Sequence, residues 1–133
     1  MASRKHAREL ALQSLFGVEI GHRPAQDMVI ETCGTVDSEQ RRFVEDLVTG
    51  TLDHADESDA ILAPLLQDWT IERLPTIDRL LLRMSVFELT HRQTPVAVVI
   101  NEAVELAKKF STDESPRFVN GVLSNVTKLG ART

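Results

Sequence analysis

Three proline steps, Leu74-Pro75, Thr94-Pro95 and Ser115-Pro116, punctuate the C-terminal half of the chain. Each opens onto a run in which apolar residues recur three and four apart. Proline has no amide proton and holds φ near its helical value, so it suits the first turn of a helix and breaks a helix elsewhere. The three steps therefore predict three helix starts. The first run holds Ile77, Leu80, Leu81, Leu82, Met84, Val86, Phe87 and Leu89, apolar on most sides, as a helix at the centre of a core would be. The second carries Val96, Val99, Ile100, Ala103, Ala107 and Phe110. The third carries Phe118, Val119, Val122, Leu123 and Val126 and ends at Gly130.

The same period runs through the N-terminal half. Ala7, Leu10, Ala11, Leu15 and Val18 form one stripe of a helix from about Ser3 to Ile20, with Gly21 as its stop. A short helix follows from Pro24 to about Gly34. Asp37 with Gln40 reads as the cap of a long third helix, whose stripe of Phe43, Leu47, Val48 and Leu52 continues through Ile61 and Leu62 to Pro64. No stretch alternates as a strand does. The expectation is an all-α fold: one domain over residues 1–133, a compact bundle of about six to seven helices in two three-helix groups.

A net charge of −5 argues at first against a polyanion partner, but it is unevenly spread. Residues 1–23 sum to +2, residues 24–68 to −9 and residues 69–133 to +2. An acidic body with a basic N-terminal strip permits a local polyanion site. The single cysteine, Cys33, excludes an internal disulfide and a cysteine zinc framework. Beside Met28, Val29 and Ile30 it reads as a buried thiol in preference to a nucleophile. No apolar stretch is long enough for a signal peptide or a membrane span, so a cytoplasmic protein is expected.

Catalytic chemistry finds no foothold. There is no phosphate-binding glycine loop, no H-E-x-x-H and no G-x-S-x-G. Asp53, His54, Asp56, Glu57 and Asp59 crowd together, and Asp53, Asp56 and Glu57 would share a helix face that could hold a hard cation. The preferred reading is a solvated acidic face, with no metal and no cofactor. His91 falls near a helix end, where an imidazolium suits the dipole.

The first helix says more. Arg4, Lys5 and Arg8 fall on one turn, away from the apolar stripe, where three cations oppose the positive end of the helix dipole. A phosphate would relieve that repulsion. Phe16, two turns on, could stack a base or could belong to the core.

Three segments bear a resemblance to a known family: Trp69–Leu89 (WTIERLPTIDRLLLRMSVFEL), Val98–Phe110 (VVINEAVELAKKF) and Ser115–Leu123 (SPRFVNGVL). With His6–Phe16 (HARELALQSLF) they resemble the NusB family of transcription antitermination factors. The resemblance implies a helical, non-enzymatic protein that binds single-stranded boxA RNA from the leaders of ribosomal operons. It implies a heterodimer with NusE, a small-subunit ribosomal protein, and an indirect partnership with elongating RNA polymerase. By position, Arg4, Lys5, Arg8 and Arg83 are its phosphate contacts, and Phe16 stands where the family often carries tyrosine. Glu72 and Asp78 match its NusE face. His6 and Ser124 depart from the family pattern.

Most motif residues have a packing role. Ile100, Ala103, Val104, Phe118, Val119, Val122 and Leu123 are core by periodicity. Gly121 costs about 1 kcal/mol against alanine inside a helix, which points to close helix packing. Asn120 is expected at an interior or boundary position. Two other functions stay open: an accessory domain like the N-terminal region of some RNA cytosine methyltransferases, and a protein-only module for NusE. An apolar stripe on the first helix would also serve a homodimer.

Overall fold

The structure, a computed structural model, describes residues 4–130. Seven α-helices follow in order: α1 (Arg4–Gly21), α2 (Ala25–Cys33), α3 (Ser38–Asp53), α4 (Ala55–Leu62), α5 (Thr76–His91), α6 (Val96–Phe110) and α7 (Ser115–Lys128). Two 3-10 turns, Ala63–Leu65 and Ile71–Arg73, lie between α4 and α5. Among the described residues there is no strand, and no helix is long and apolar enough to cross a membrane. The chain divides at Asp53/His54 into two compact units.

The first unit is a three-helix group in which α1, α2 and α3 all touch one another. Ala7, Leu10, Ala11, Leu12 and Leu15 bury one face of α1, and Phe43, Val44, Leu47 and Val48 bury one face of α3. Each buried leucine of this kind contributes about 1.5–3 kcal/mol. Asp37 caps α3 as the sequence predicts, its Oδ1 accepting the Gln40 amide at 2.9 Å. Gly17 leaves room for the end of the Met28 side chain from α2, since a Cβ there would stand 2.8 Å from its Sδ. At the end of α1 the left-handed residue is His22, at φ 53°, and not Gly21, which stays helical.

The second unit is built on α5, which packs against α4, α6 and α7. Leu80, Leu81, Leu82, Met84, Val86, Phe87 and Leu89 are all buried, as its all-round apolar surface requires. Ser85 and Glu88 are buried with them. Glu88 accepts the Thr94 hydroxyl at 3.1 Å, so the buried carboxylate is satisfied across the α5–α6 turn.

Three expectations need correction. The long third helix stops at Asp53, because His54 leaves the helical region at φ −108°, ψ 18°, and α4 starts afresh. Buried Thr51, Ser58 and Leu62 are still spaced by seven and four, so a helical spacing of buried residues continues across the break and hides it, while Leu52 of the expected stripe is exposed. Gly121 is exposed, and a Cβ there would meet nothing within 4 Å. Close helix packing therefore does not explain it. Asn120 is likewise exposed, because the buried face of α7 is set by Val119, Val122, Leu123 and Val126.

Candidate nucleic-acid interface

The α1 start is basic without a compensating acid in its first turn. Three of the expected contacts lie here, and the structure treats them differently. Lys5 is exposed. Arg4 is about half exposed; its guanidinium lies 4.2 Å from the Phe43 ring centre, hydrogen-bonds Gln40 and stands 3.6 Å from the Glu39 carboxylate. Arg8 is only 5% exposed, with its guanidinium 5.4 Å from the same ring. The expectation of three cations on one exposed turn thus holds for Arg4 and Lys5 and fails for Arg8. One turn further along, Arg8 points toward α3, where Phe43 offers its π face to a cation.

Phe16 is 39% exposed, so it stays outside the apolar interior of the first unit. The stripe that sequence left available to a second copy is buried against α2 and α3, which removes it as a homodimer surface. What α1 leaves exposed and apolar is Phe16 and Ile20.

Arg83 belongs to the second unit. Its Nε and Nη2 donate to Asp59 Oδ1 and Oδ2, each at 2.8 Å, a two-point pairing on side chains only a fifth to a quarter exposed. Glu72 is exposed on the second 3-10 turn. Asp78, in the first turn of α5, is 3% exposed and accepts the hydroxyls of Ser111 at 2.6 Å and Ser115 at 2.9 Å. It ties the start of α5 to the α6–α7 turn. Trp69, Leu74, Pro75, Asp78, Ser115 and Phe118 line a cleft of about 470 Å³ there. Trp69, the only tryptophan of the chain, is 52% exposed at its edge.

Sequence reasoning missed Phe43 as the plate under two guanidiniums, because its place in the α3 stripe marks it only as core. It missed Asp59 as the partner of Arg83, since 24 residues separate them. The crowded acids also divide: Asp59 serves Arg83, whereas Glu57 meets His54 and His91.

Comparison with known proteins sets these features in context. The transcription antitermination protein NusB of Solibacter usitatus is 43% identical over 132 residues, covering 96% of this chain and 90% of that protein. The protein of the same name from Staphylococcus haemolyticus is 44% identical, covering 93% and 98%. Both are named as transcription antitermination proteins and not as enzymes. Among solved structures, T. maritima NusB superposes with a TM-score of 0.92 at 28% identity, covering 98% of this chain and 94% of that one. A structure of antitermination factors NusB and NusE in complex with dsRNA superposes at 0.85 with 28% identity, covering 95% and 96%. The NusB family profile matches residues 5–128, and with relatives this similar along their whole length, the chain belongs to the NusB family.

Proposed function

We propose that this protein binds the boxA element of ribosomal-operon leader RNA together with NusE, and so helps RNA polymerase read through terminators. It acts in the cytoplasm, by binding without turnover. The observation that carries the reading is the exposed basic start of α1, with Arg4 and Lys5 at the positive end of the helix dipole and no acid in that turn. A relative solved with NusE and dsRNA supports the pairing with NusE and RNA. The acidic charge of residues 24–68 would repel a strand elsewhere and confine it to a narrow track.

Roles divide within that reading. Lys5 and Arg4 meet phosphates, and Phe16 offers a ring face to a base. Arg8 holds the basic turn against α3 through Phe43, and reaches a phosphate only by leaving that ring. Arg83 is a phosphate contact that must first give up Asp59. Toward NusE, Glu72 presents an exposed carboxylate on the second 3-10 turn, and Asp78 lines the Trp69 cleft.

Fluorescence anisotropy with a single-stranded boxA oligonucleotide, a scrambled one and an RNA duplex tests this, with and without NusE. Three or four phosphate contacts predict a log–log salt slope of about −2 to −3 for single-stranded RNA. Lys5→Ala should weaken binding. A flat salt response, or a Lys5→Ala variant that binds as the parent does, would remove the α1 site. NusE binding retained with no RNA affinity would favour a protein-only module.

A further inference from the structure

Glu57, in the first turn of α4, has its carboxylate between two imidazoles. His54 Nδ1 lies 3.2 Å from Oε2, and His91 Nε2 lies 3.2 Å from each carboxylate oxygen. His54 and Glu57 come from the start of α4 and His91 from the last residue of α5. One donor atom from each of the three side chains lies within 4.8 Å of the other two. All three are between a third and a half exposed, so the cluster opens to solvent.

We propose that His54, Glu57 and His91 form a binding site for one divalent transition-metal ion of the zinc class. The donor set carries the choice of ion: two imidazoles and one carboxylate suit zinc, copper or nickel, whereas calcium and magnesium take oxygen donors. Bonds of about 2.0–2.1 Å around a tetrahedral ion put neighbouring donors roughly 3.4 Å apart. The two imidazole–carboxylate separations of 3.2 Å are already close to that. The third edge must close. The rings of His54 and His91 are stacked, 4.0 Å between centres and 24° between planes. Binding requires one imidazole to turn about its Cβ–Cγ bond until both donor nitrogens face a shared ion.

Phe87 lies 5.5 Å from each imidazole and limits how far either can wander, a preorganisation that lowers the entropic cost of binding. The remaining coordination positions face solvent and would take water. The site rests on none of the residues assigned to RNA or NusE. Its competitor is simpler, a carboxylate that accepts N–H hydrogen bonds from two imidazoles and binds no ion.

Untagged full-length protein, stripped with chelator, should be titrated with zinc chloride by calorimetry and with cobalt(II) by visible absorption. One ion per chain is expected. His54→Asn, His91→Asn and Glu57→Gln should each weaken zinc binding tenfold or more. His6→Asn and His22→Asn, which change the other two histidines, should leave it intact. Far-ultraviolet circular dichroism confirms that each variant keeps its helices. Cobalt should give the intense bands of a four- or five-coordinate site, lost in His91→Asn. No binding at millimolar zinc, binding that survives His91→Asn, or binding that depends on His6 or His22 would each overturn the proposal.

Discussion

Asp59 holds Arg83 by two parallel hydrogen bonds of 2.8 Å, so the guanidinium on α5 is neutralised inside the second unit. An arginine in that state must exchange one anion for another to meet a phosphate. Asp59→Asn weakens the grip and frees the charge. If Arg83 touches RNA, this variant should bind boxA RNA more tightly, with a salt slope steeper by about 0.7. Its stability should fall by about 1 kcal/mol, the scale of a partly exposed ion pair with good geometry. Unchanged RNA affinity alongside the stability loss would make the pair purely structural. Anisotropy and urea unfolding on one preparation read both.

Gly121 gives the reverse kind of prediction. It lies in the interior of α7, exposed, with open space where a Cβ would go. Gly121→Ala should therefore stabilise the protein by about 1 kcal/mol, raising Tm by about 4 °C. A glycine kept where alanine folds better is explained if a partner approaches the bare backbone. It lines the groove it shares with Trp69 and Phe118. The same variant should then weaken NusE binding, measured by calorimetry. A Tm that falls would reveal a packing constraint absent from the structure.

The contrast between these two residues shows what could be read in the sequence. The period of apolar residues, the proline starts and the Asp37 cap located the helices, because each is a local rule that a few neighbouring residues satisfy. The break at His54 was invisible, since a backbone turn that preserves the seven-residue spacing leaves no mark on the pattern. Side-chain exposure was also out of reach. Arg8 and Lys5 look alike in sequence, and only the position of Phe43 on α3 separates a buried cation from an open one. Pairings across 24 to 37 residues, such as Arg83 with Asp59 or Asp78 with Ser115, follow from the fold and not from any motif.

Asp78 itself should be expensive to lose. Two hydroxyls donate to it in a site 3% exposed, and it lies at the favourable end of the α5 dipole. Asp78→Ala leaves the Ser111 and Ser115 hydroxyls without that acceptor and should cost about 2–3 kcal/mol. Asp78→Asn, which keeps one acceptor oxygen, should cost less. Chemical denaturation orders the two; equal losses would mean that charge at the helix start outweighs the hydrogen bonds.

Glu57 predicts an acid-limb effect. Its carboxyl is held below the ordinary value of 4.5, first by hydrogen bonding from His91, then by the charge of His91 and the contact with His54, against a partial loss of hydration. A carboxyl lowered in the folded state contributes stability that is present above its unfolded value and lost as pH falls through its folded one. With chelator present, the stability difference between the parent and Glu57→Gln should be constant just above pH 4.5 and shrink below it. A difference that grows on acidification would mean that the Glu57 carboxyl is raised, and not lowered, in the folded protein.

Arg8 and Lys5 supply the sharpest division between fold and function on α1. Arg8 is buried over Phe43, so Arg8→Ala removes both a cation–π contact and the packing of its aliphatic stem, at about 2 kcal/mol. Lys5 is exposed, and Lys5→Ala should change stability by less than about 0.5 kcal/mol. Its effect should fall on RNA, lowering affinity and flattening the salt slope by about 0.7. Arg8→Met separates the two roles of the buried arginine, because it keeps an apolar stem beside Phe43 and removes the charge. If Arg8 only braces the turn, Arg8→Met should regain much of the stability lost in Arg8→Ala and bind RNA nearly as the parent does. If it leaves the ring to meet a phosphate, Arg8→Met should fold well and still lose RNA affinity to the same degree as Lys5→Ala.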